Sequence, residues 1–392
     1  MVAPAGSPKE KLSVVLVLGI AQTIAWASTY YLPAVLATPM AADFGMQSSD
    51  VFGLFSLALI VAAVAGPLSG RLIDRFGGKP VLGGTSVLFA LCLVLMAQAN
   101  NVWQLTLAWL GIGVGLAGGL YEAAFATVVR LYGRSARGAI TGITLLGGFA
   151  STVGWPLTAF LEASYDWRTA CLFWAAINVA VCLPLYCCLP RSEAPQPRAA
   201  AAAKPGGARK LDVRMALLAF FFSATAFSSA AMATHLPGVL QAAGITAAGA
   251  IIVGMLVGPA QVGARLLEFT FLKKLKPMLT AMLAVAMHPA GALLFMVFSA
   301  PAAVVFGILH GLSNGLLTIV KGALPLDIFG AEGYGERQGI LMAPARLAQA
   351  SAPWLFGLAV TRWGAGALAL TTALGVLSLF ALALLNRYSR NQ

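Results

Sequence analysis

Charge is what this sequence has least of. Only 10% of its 392 residues are Asp, Glu, Lys or Arg, against 59% hydrophobic. A soluble domain carries roughly 25% charged residues. That shortage excludes a water-soluble fold of this length, which could not hide so much apolar surface, and makes lipid the solvent. Acidic residues are the scarcer sign, 13 against 25 basic ones. The excess of +12 does not point to nucleic acid, because the cations sit in short segments between apolar runs. Cysteine is sparse too. Cys92, Cys171, Cys182, Cys187 and Cys188 all fall in apolar runs without zinc-finger spacing. There is no GxxxxGK[ST] phosphate loop, no metal cluster and no nucleophile–His–acid set. Direct drive by ATP, a resident cofactor and an enzymatic activity are therefore not expected.

What the sequence has instead is long apolar runs. A bilayer core takes about 20 apolar residues per helix, and the runs predict twelve helices, from 12–36 and 50–73 to 337–361 and 363–386. The first run is too long for the apolar part of a cleavable signal. With the N-terminus inside, the inner segments collect Lys9, Lys11, Arg71, Arg75, Lys79, Arg130 and many more, while the outer loops hold only Arg168 and Arg362. This asymmetry predicts a multi-pass inner-membrane protein with both termini cytoplasmic. The stretch 190–211 is rich in Pro, Ala, Gly and charge, and reads as a flexible cytoplasmic linker. Residues 1–189 and 212–392 then form two six-helix bundles.

The bundles repeat. Tyr30–Leu36 reads YYLPAVL and Thr234–Leu240 reads THLPGVL. Gly66-Pro67 is followed by Arg71 and Asp74, and Gly258-Pro259 by Arg265 and Glu268. Gly111, Gly115 and Gly119 are matched by Gly307, Gly311 and Gly315, and Gly142 and Pro156 by Gly339 and Pro353. Four anchors in one order, offset by about 200 positions, predict a duplicated unit. Parallel repeats of this kind place a substrate site between the halves near the midplane. Glycines spaced by four let helices approach closely.

The loop after the second helix reads Gly70-Arg71-Leu72-Ile73-Asp74-Arg75-Phe76-Gly77-Gly78-Lys79. It resembles the signature of the major facilitator superfamily, with Gly78 where a basic residue is common. The second half keeps a degenerate copy around Gly263, Arg265 and Glu268. The resemblance implies an all-α membrane fold of twelve helices in two pseudo-symmetric bundles. It also implies a bacterial secondary transporter that acts as a monomer by rocker-switch alternating access. Gly70 would permit a close helix contact. Asp74, Arg75 and Arg130 would belong to a charge cluster that latches the halves, with Arg265 and Glu268 as its counterpart. Simple anchoring of the loops in the cytoplasm is the plainer account of these arginines.

Three ionisable side chains fall inside apolar runs, where each costs about 2.5–3.5 kcal/mol on insertion scales and so marks a functional candidate. Glu122 is about 12 Å deep, Lys321 about 9 Å and Arg346 about 13 Å, at 1.5 Å per residue. Glu122 pairs with a cation as a bridge, or the cations bind an anionic substrate while Glu122 carries a coupling proton; Lys321 could also snorkel. Tyr31 and His235 correspond in the repeat, each just before a Leu-Pro pair, and either contact substrate or simply pack. Gln22, Trp26 and Tyr30 are further first-helix candidates, while His288 and His310 carry no assigned role. The expected partners are the bilayer, a small-molecule substrate and protons. The best reading of the substrate is a small organic anion. Efflux of drugs or arsenite-like species by proton antiport is the alternative, with Cys187-Cys188 as possible thiolate ligands. A transporter-like membrane sensor is a third reading.

Overall fold

A helix rises 1.5 Å per residue, so a roughly 30 Å apolar core is crossed in about 20 residues. In a computed structural model, which describes residues 8–190, 212–270, 275–329 and 334–390, eleven helical stretches are long and apolar enough to do so. The last, Ile340–Tyr388, has 49 residues, about twice what one crossing needs. It is two helices, parted at Gly364, whose φ of +55° few other residues tolerate. We number the spans α1 (Lys9–Asp43), α2 (Ser48–Phe76), α3 (Gly78–Ala97), α4 (Val102–Tyr132), α5 (Gly138–Ser164), α6 (Trp167–Cys187), α7 (Val213–Ala242), α8 (Ala247–Glu268), α9 (Pro277–Phe298), α10 (Ala300–Phe329), α11 (Tyr334–Trp363) and α12 (Leu368–Arg390).

The contacts divide the chain into unit 1, Met1–Pro205, and unit 2, Gly206–Gln392, with six spans in each. Apart from Pro190, the expected linker 190–211 lies outside the described residues. The expected ends hold to within a few residues for most spans. The first is the exception: α1 runs to Asp43 rather than to 36.

The units differ in continuity. In unit 2 the helices run unbroken through each crossing, including α7 across Pro237. In unit 1, α1 widens into a π-helical turn at Trp26–Tyr30 and restarts at Pro33. Pro33 brings no amide to the carbonyl four residues earlier, and the extra residue of the π turn shifts the register. α4 breaks at Leu120, α5 at Gly148 and Phe149, and α6 carries a second π turn at Asn178–Cys182. The same Leu-Pro pair thus accompanies an interruption in α1 but none in α7.

The repeated glycine runs also serve different neighbours. In unit 2 a Cβ on Gly311 or Gly315 would meet the carbonyl oxygens of Val257 and Gln261, so α10 lies backbone to backbone on α8. In unit 1, Gly111, Gly115 and Gly119 make room for the side chains of Cys92 and Phe89 on α3. Gly113 between them, which is not part of the run, lies against the carbonyl of Ala58 on α2.

Arg168, one of two cations expected outside, is fully engaged. It donates to the carbonyls of Ala97 and Ala99 at 2.8 and 2.9 Å, closing the C-terminal end of α3. It also pairs with Asp43 at 3.3 Å. Asp43 accepts from the Trp167 indole at 2.8 Å. Beside it, Asp166 caps α6 by accepting from the Thr169 amide at 2.6 Å. That bond holds the Asp166 carboxyl below the usual aspartate range. The cap is therefore present at neutral pH and is lost as the pH falls through that lowered value. Arg168→Ala should cost about 1–3 kcal/mol, mainly from the freed carbonyls, since the half-exposed ion pair adds little. Thermal unfolding in nanodiscs checks this, and an unchanged midpoint would deny Arg168 its structural role.

Candidate functional site

The interruptions of unit 1 converge. Where α4 breaks at Leu120, the Ala123 amide bonds back to Leu120 rather than to Gly119. The Gly119 carbonyl, left without its helical donor, accepts from Gln22 Nε2 of α1 at 2.7 Å. Gln22 is fully buried, and its Oε1 has no partner among the described residues. Tyr121 opens the second half of α4. Its ring lies 5.1 Å from Trp26 and stacks on Phe125 at 5.3 Å. A Cβ on Gly147, beside the break in α5, would strike the Tyr121 hydroxyl, so that glycine is required.

The four first-helix candidates come together here. Trp26 lies 4.7 Å from Tyr30 and 6.2 Å from Tyr31, and Tyr31 meets Trp155 of α5 edge-on at 5.5 Å. Trp26 Nε1 is buried without a partner among the described residues. The Trp26 indole N–H, without a partner among the described residues, thus sits within an aromatic cluster one turn along α1 from the Gln22 amide.

Glu122 is placed by the same break. It stands in the first turn of the helix Tyr121–Tyr132, and its side chain is exposed. Free amides and the helix dipole at an N-terminus favour a negative charge. The interruption at Leu120 thus provides a carboxylate position inside an apolar span, and sequence periodicity does not reveal it.

Three residues that sequence reasoning passed over hold the framework. Asn178, at the π turn of α6, donates to Ser28 in the π turn of α1 at 3.0 Å. Its carbonyl accepts from Ser86 of α3 at 2.7 Å. An amide and two hydroxyls in apolar runs were the available signal.

In unit 2, Lys321 is half-buried on α10 and Arg346 is exposed on α11. His235 is buried and donates from Nε2 to the Pro353 carbonyl of α11 at 2.7 Å. Its repeat partner Tyr31 accepts, through its own carbonyl, from Trp155 of α5 at 3.3 Å. First and fifth spans are thus strapped in both units, and at His235 this geometry matches the packing alternative.

The motif residues act on helix ends. Arg130 donates to the Ile73 carbonyl at 2.5 Å and to that of Asp74, closing the C-terminus of α2. Arg130 thus meets Asp74 through its main chain, while the Asp74 side chain is exposed. Arg75 is exposed, with its guanidinium 5.0 Å from the Phe76 ring. Lys79 donates to Leu189 at 3.3 Å and to Cys187, closing α6. Gly77 turns the chain at φ +87°. Gly78 lies so close to Thr127 that any side chain would collide, which explains why no basic residue stands there. A Cβ on Gly70 would meet nothing within 4 Å among the described residues. Arg265 is 8% exposed and reaches Thr318 of α10 at 3.5 Å, inside unit 2. Glu268 is half-buried three residues on. No group of three or more potential metal ligands exists among the described residues.

Comparison with known proteins bears on this arrangement. The family model described as Major Facilitator Superfamily matches residues 18–305. Monocarboxylate transporter 2 of Rattus norvegicus is 31% identical over 171 residues, 43% of this chain and 34% of that protein. The chain thus matches about a third of that relative's length. An MFS-type efflux pump of Mycolicibacterium smegmatis is 30% identical over 180 residues, 44% of this chain and 41% of the pump. The crystal structure of the nucleoside transporter NupG (D323A mutant) shares the fold with a TM-score of 0.76 at 14% identity, covering 96% of this chain and 99% of that one.

Gln22→Leu should leave the Gly119 carbonyl unpaired in an apolar setting, at a cost of about 1–3 kcal/mol. Thermal unfolding in nanodiscs would show it as a lowered midpoint. An unchanged midpoint would mean that Gly119 finds another donor.

Proposed function

Because the chain belongs to the Major Facilitator Superfamily, and is thereby a multi-pass membrane transporter, we propose that it carries a small organic anion across the plasma membrane by proton-coupled alternating access. The observation that supports this most is the sorting of membrane charge. The cations Lys321 and Arg346 belong to unit 2, whereas the carboxylate Glu122 belongs to unit 1. The cations attract the anion, Arg346 through a planar fork suited to a carboxylate. Glu122 carries the proton. Trp26, Tyr30 and Tyr31 stack against the apolar part of the substrate, and Gln22 and Trp26 supply polar contacts. The name of the monocarboxylate relative agrees with this substrate class.

Alternating access needs the loops to hold different contacts in different states, and a ligand shifts the balance only through its differential affinity for them. Asp74, whose side chain is exposed, is available for a state-dependent contact, with Arg75 and Arg130 beside it. Arg265 and Glu268 are the corresponding positions of unit 2. The protein works as a monomer with both termini in the cytoplasm.

The aromatic cluster around Trp26 and the efflux-pump relative favour a second reading, proton-driven export of lipophilic or arsenite-like compounds.

Thermal unfolding against a panel of carboxylates, lipophilic cations and arsenicals separates the two. Carboxylates at about 100 times Kd should stabilise the wild type by about 2.7 kcal/mol. They should lose that effect in Lys321→Ala and Arg346→Ala. Stabilisation by lipophilic cations or arsenicals alone, undiminished in both variants, would replace anion transport with export.

A further inference from the structure

Unit 2 contains a polar chain that neither the membrane charges nor the signature motif uses. His288 of α9 and His310 of α10 each lie about 15 Å along the span from its nearer end, and are 5% and 3% exposed. Their Nδ1 atoms face each other at 3.0 Å. Asn314, one turn further along α10, lies 3.0 Å from His310 Nε2. Ser229 of α7 donates to the Asn314 side-chain oxygen at 2.5 Å. At the other end, His288 Nε2 is buried with no partner among the described residues.

His288 and His310 line a small cavity with room for a water molecule. Val285 also lines it, and Pro289 supplies no amide to the Val285 carbonyl. A water there therefore meets hydroxyls and imidazole.

Two ring nitrogens 3.0 Å apart share one proton. With the Asn314 amide donating to His310 Nε2, His310 holds its proton on Nδ1 and donates to His288. His288 then carries a proton on Nε2. Ser229 can accept as well as donate, so the amide can turn over, and the chain then fits a second pair of tautomers in which each imidazole still carries one proton. His310 Nε2–H donates to Asn314, His288 Nδ1–H donates to His310, and His288 Nε2 is left with a lone pair.

We propose that His288 and His310 form a proton-binding site, loaded from the cavity at His288 Nε2 when the chain has this second polarity. A hydronium relayed to the cavity gives up the proton: one of its O–H bonds breaks as the N–H bond forms at Nε2, and a neutral water remains. The single positive charge is then shared across the Nδ1–H···Nδ1 contact. A second proton would set two N–H groups and two charges against each other across that contact, so the pair binds one. Thr225 and Ser228 of α7, Ser313 of α10 and Ser378 of α12 face the cavity and solvate the charge. The two imidazoles are the only titratable groups among its described lining residues. The charged residues of the same four spans, Arg214, Lys321, Asp327, Arg387 and Arg390, lie turns away along their helices, Lys321 about 16 Å beyond His310. Lys276, just before α9, is as remote. The site goes beyond the proposed function, because it lies in a different unit from Glu122 and needs no particular substrate.

The chain has three histidines, so 15N-histidine labelling in nanodiscs reads each one's protonation and tautomer. His235→Asn, His288→Gln and His310→Gln assign the signals. From about pH 9 to about pH 4, His288 and His310 should change together in one transition that adds a single proton to the pair. The shared transition should vanish in either glutamine variant. Asn314→Leu keeps both imidazoles and serves if those variants fail to fold; it should move the transition. Two imidazoles that stay neutral in fixed tautomers throughout, or that each take a full proton independently, would overturn the proposal.

Discussion

Inside a bilayer every backbone N–H and C=O must find its partner within the protein, because lipid offers none. An unbroken helix meets this requirement by itself, and unit 2 keeps its crossings whole. Unit 1 interrupts four of its six spans and must satisfy the groups it frees. Gln22 takes the Gly119 carbonyl, Asn178 ties one π turn to the other, and Tyr121 fills the space that Gly147 leaves. These repairs are also what gather polar and aromatic side chains at the middle of the unit. The break at Leu120 creates a helix N-terminus within a span, and Glu122 occupies it. Stability and site thus share one origin.

The same requirement governs the ends of the spans. Arg130 closes α2, Lys79 closes α6 and Arg168 closes α3, each by donating to terminal carbonyls. A cation at a helix C-terminus satisfies orphan acceptors and opposes the negative end of the dipole. Arg168 therefore stands on the side where cations are otherwise scarce for a local reason. The motif that resembles a transport signature is, in this structure, first a device for closing two helices around Gly77 and Gly78.

Hydropathy made the spans legible, because twenty-residue apolar runs have few other uses, and four spaced anchors made the duplication legible. The interruptions were not, since a π turn at Trp26 and a break at Leu120 leave the apolar pattern intact. Nor does the repeat reveal them: Leu32-Pro33 and Leu236-Pro237 look alike, yet only α1 is broken. Gln22, Trp26, Tyr30 and Tyr31 were found because polar and aromatic residues stand out in an apolar run. Asn178 and Tyr121 act through partners far away in sequence, as do His288 and His310. Gly70 was judged by its motif, while the close contacts belong to Gly78 and Gly147.

The interruption of α4 is the point on which this account turns. Hydrogen–deuterium exchange of the protein in nanodiscs, resolved to short peptides, tests it most directly. Amides around Leu120–Glu122 should exchange faster than those of Leu105–Leu116 before the break and Ala124–Val128 after it. Uniform protection from Leu105 to Val128 would mean that α4 crosses as one helix, and would remove both the Gly119 carbonyl and the Glu122 helix terminus from the site.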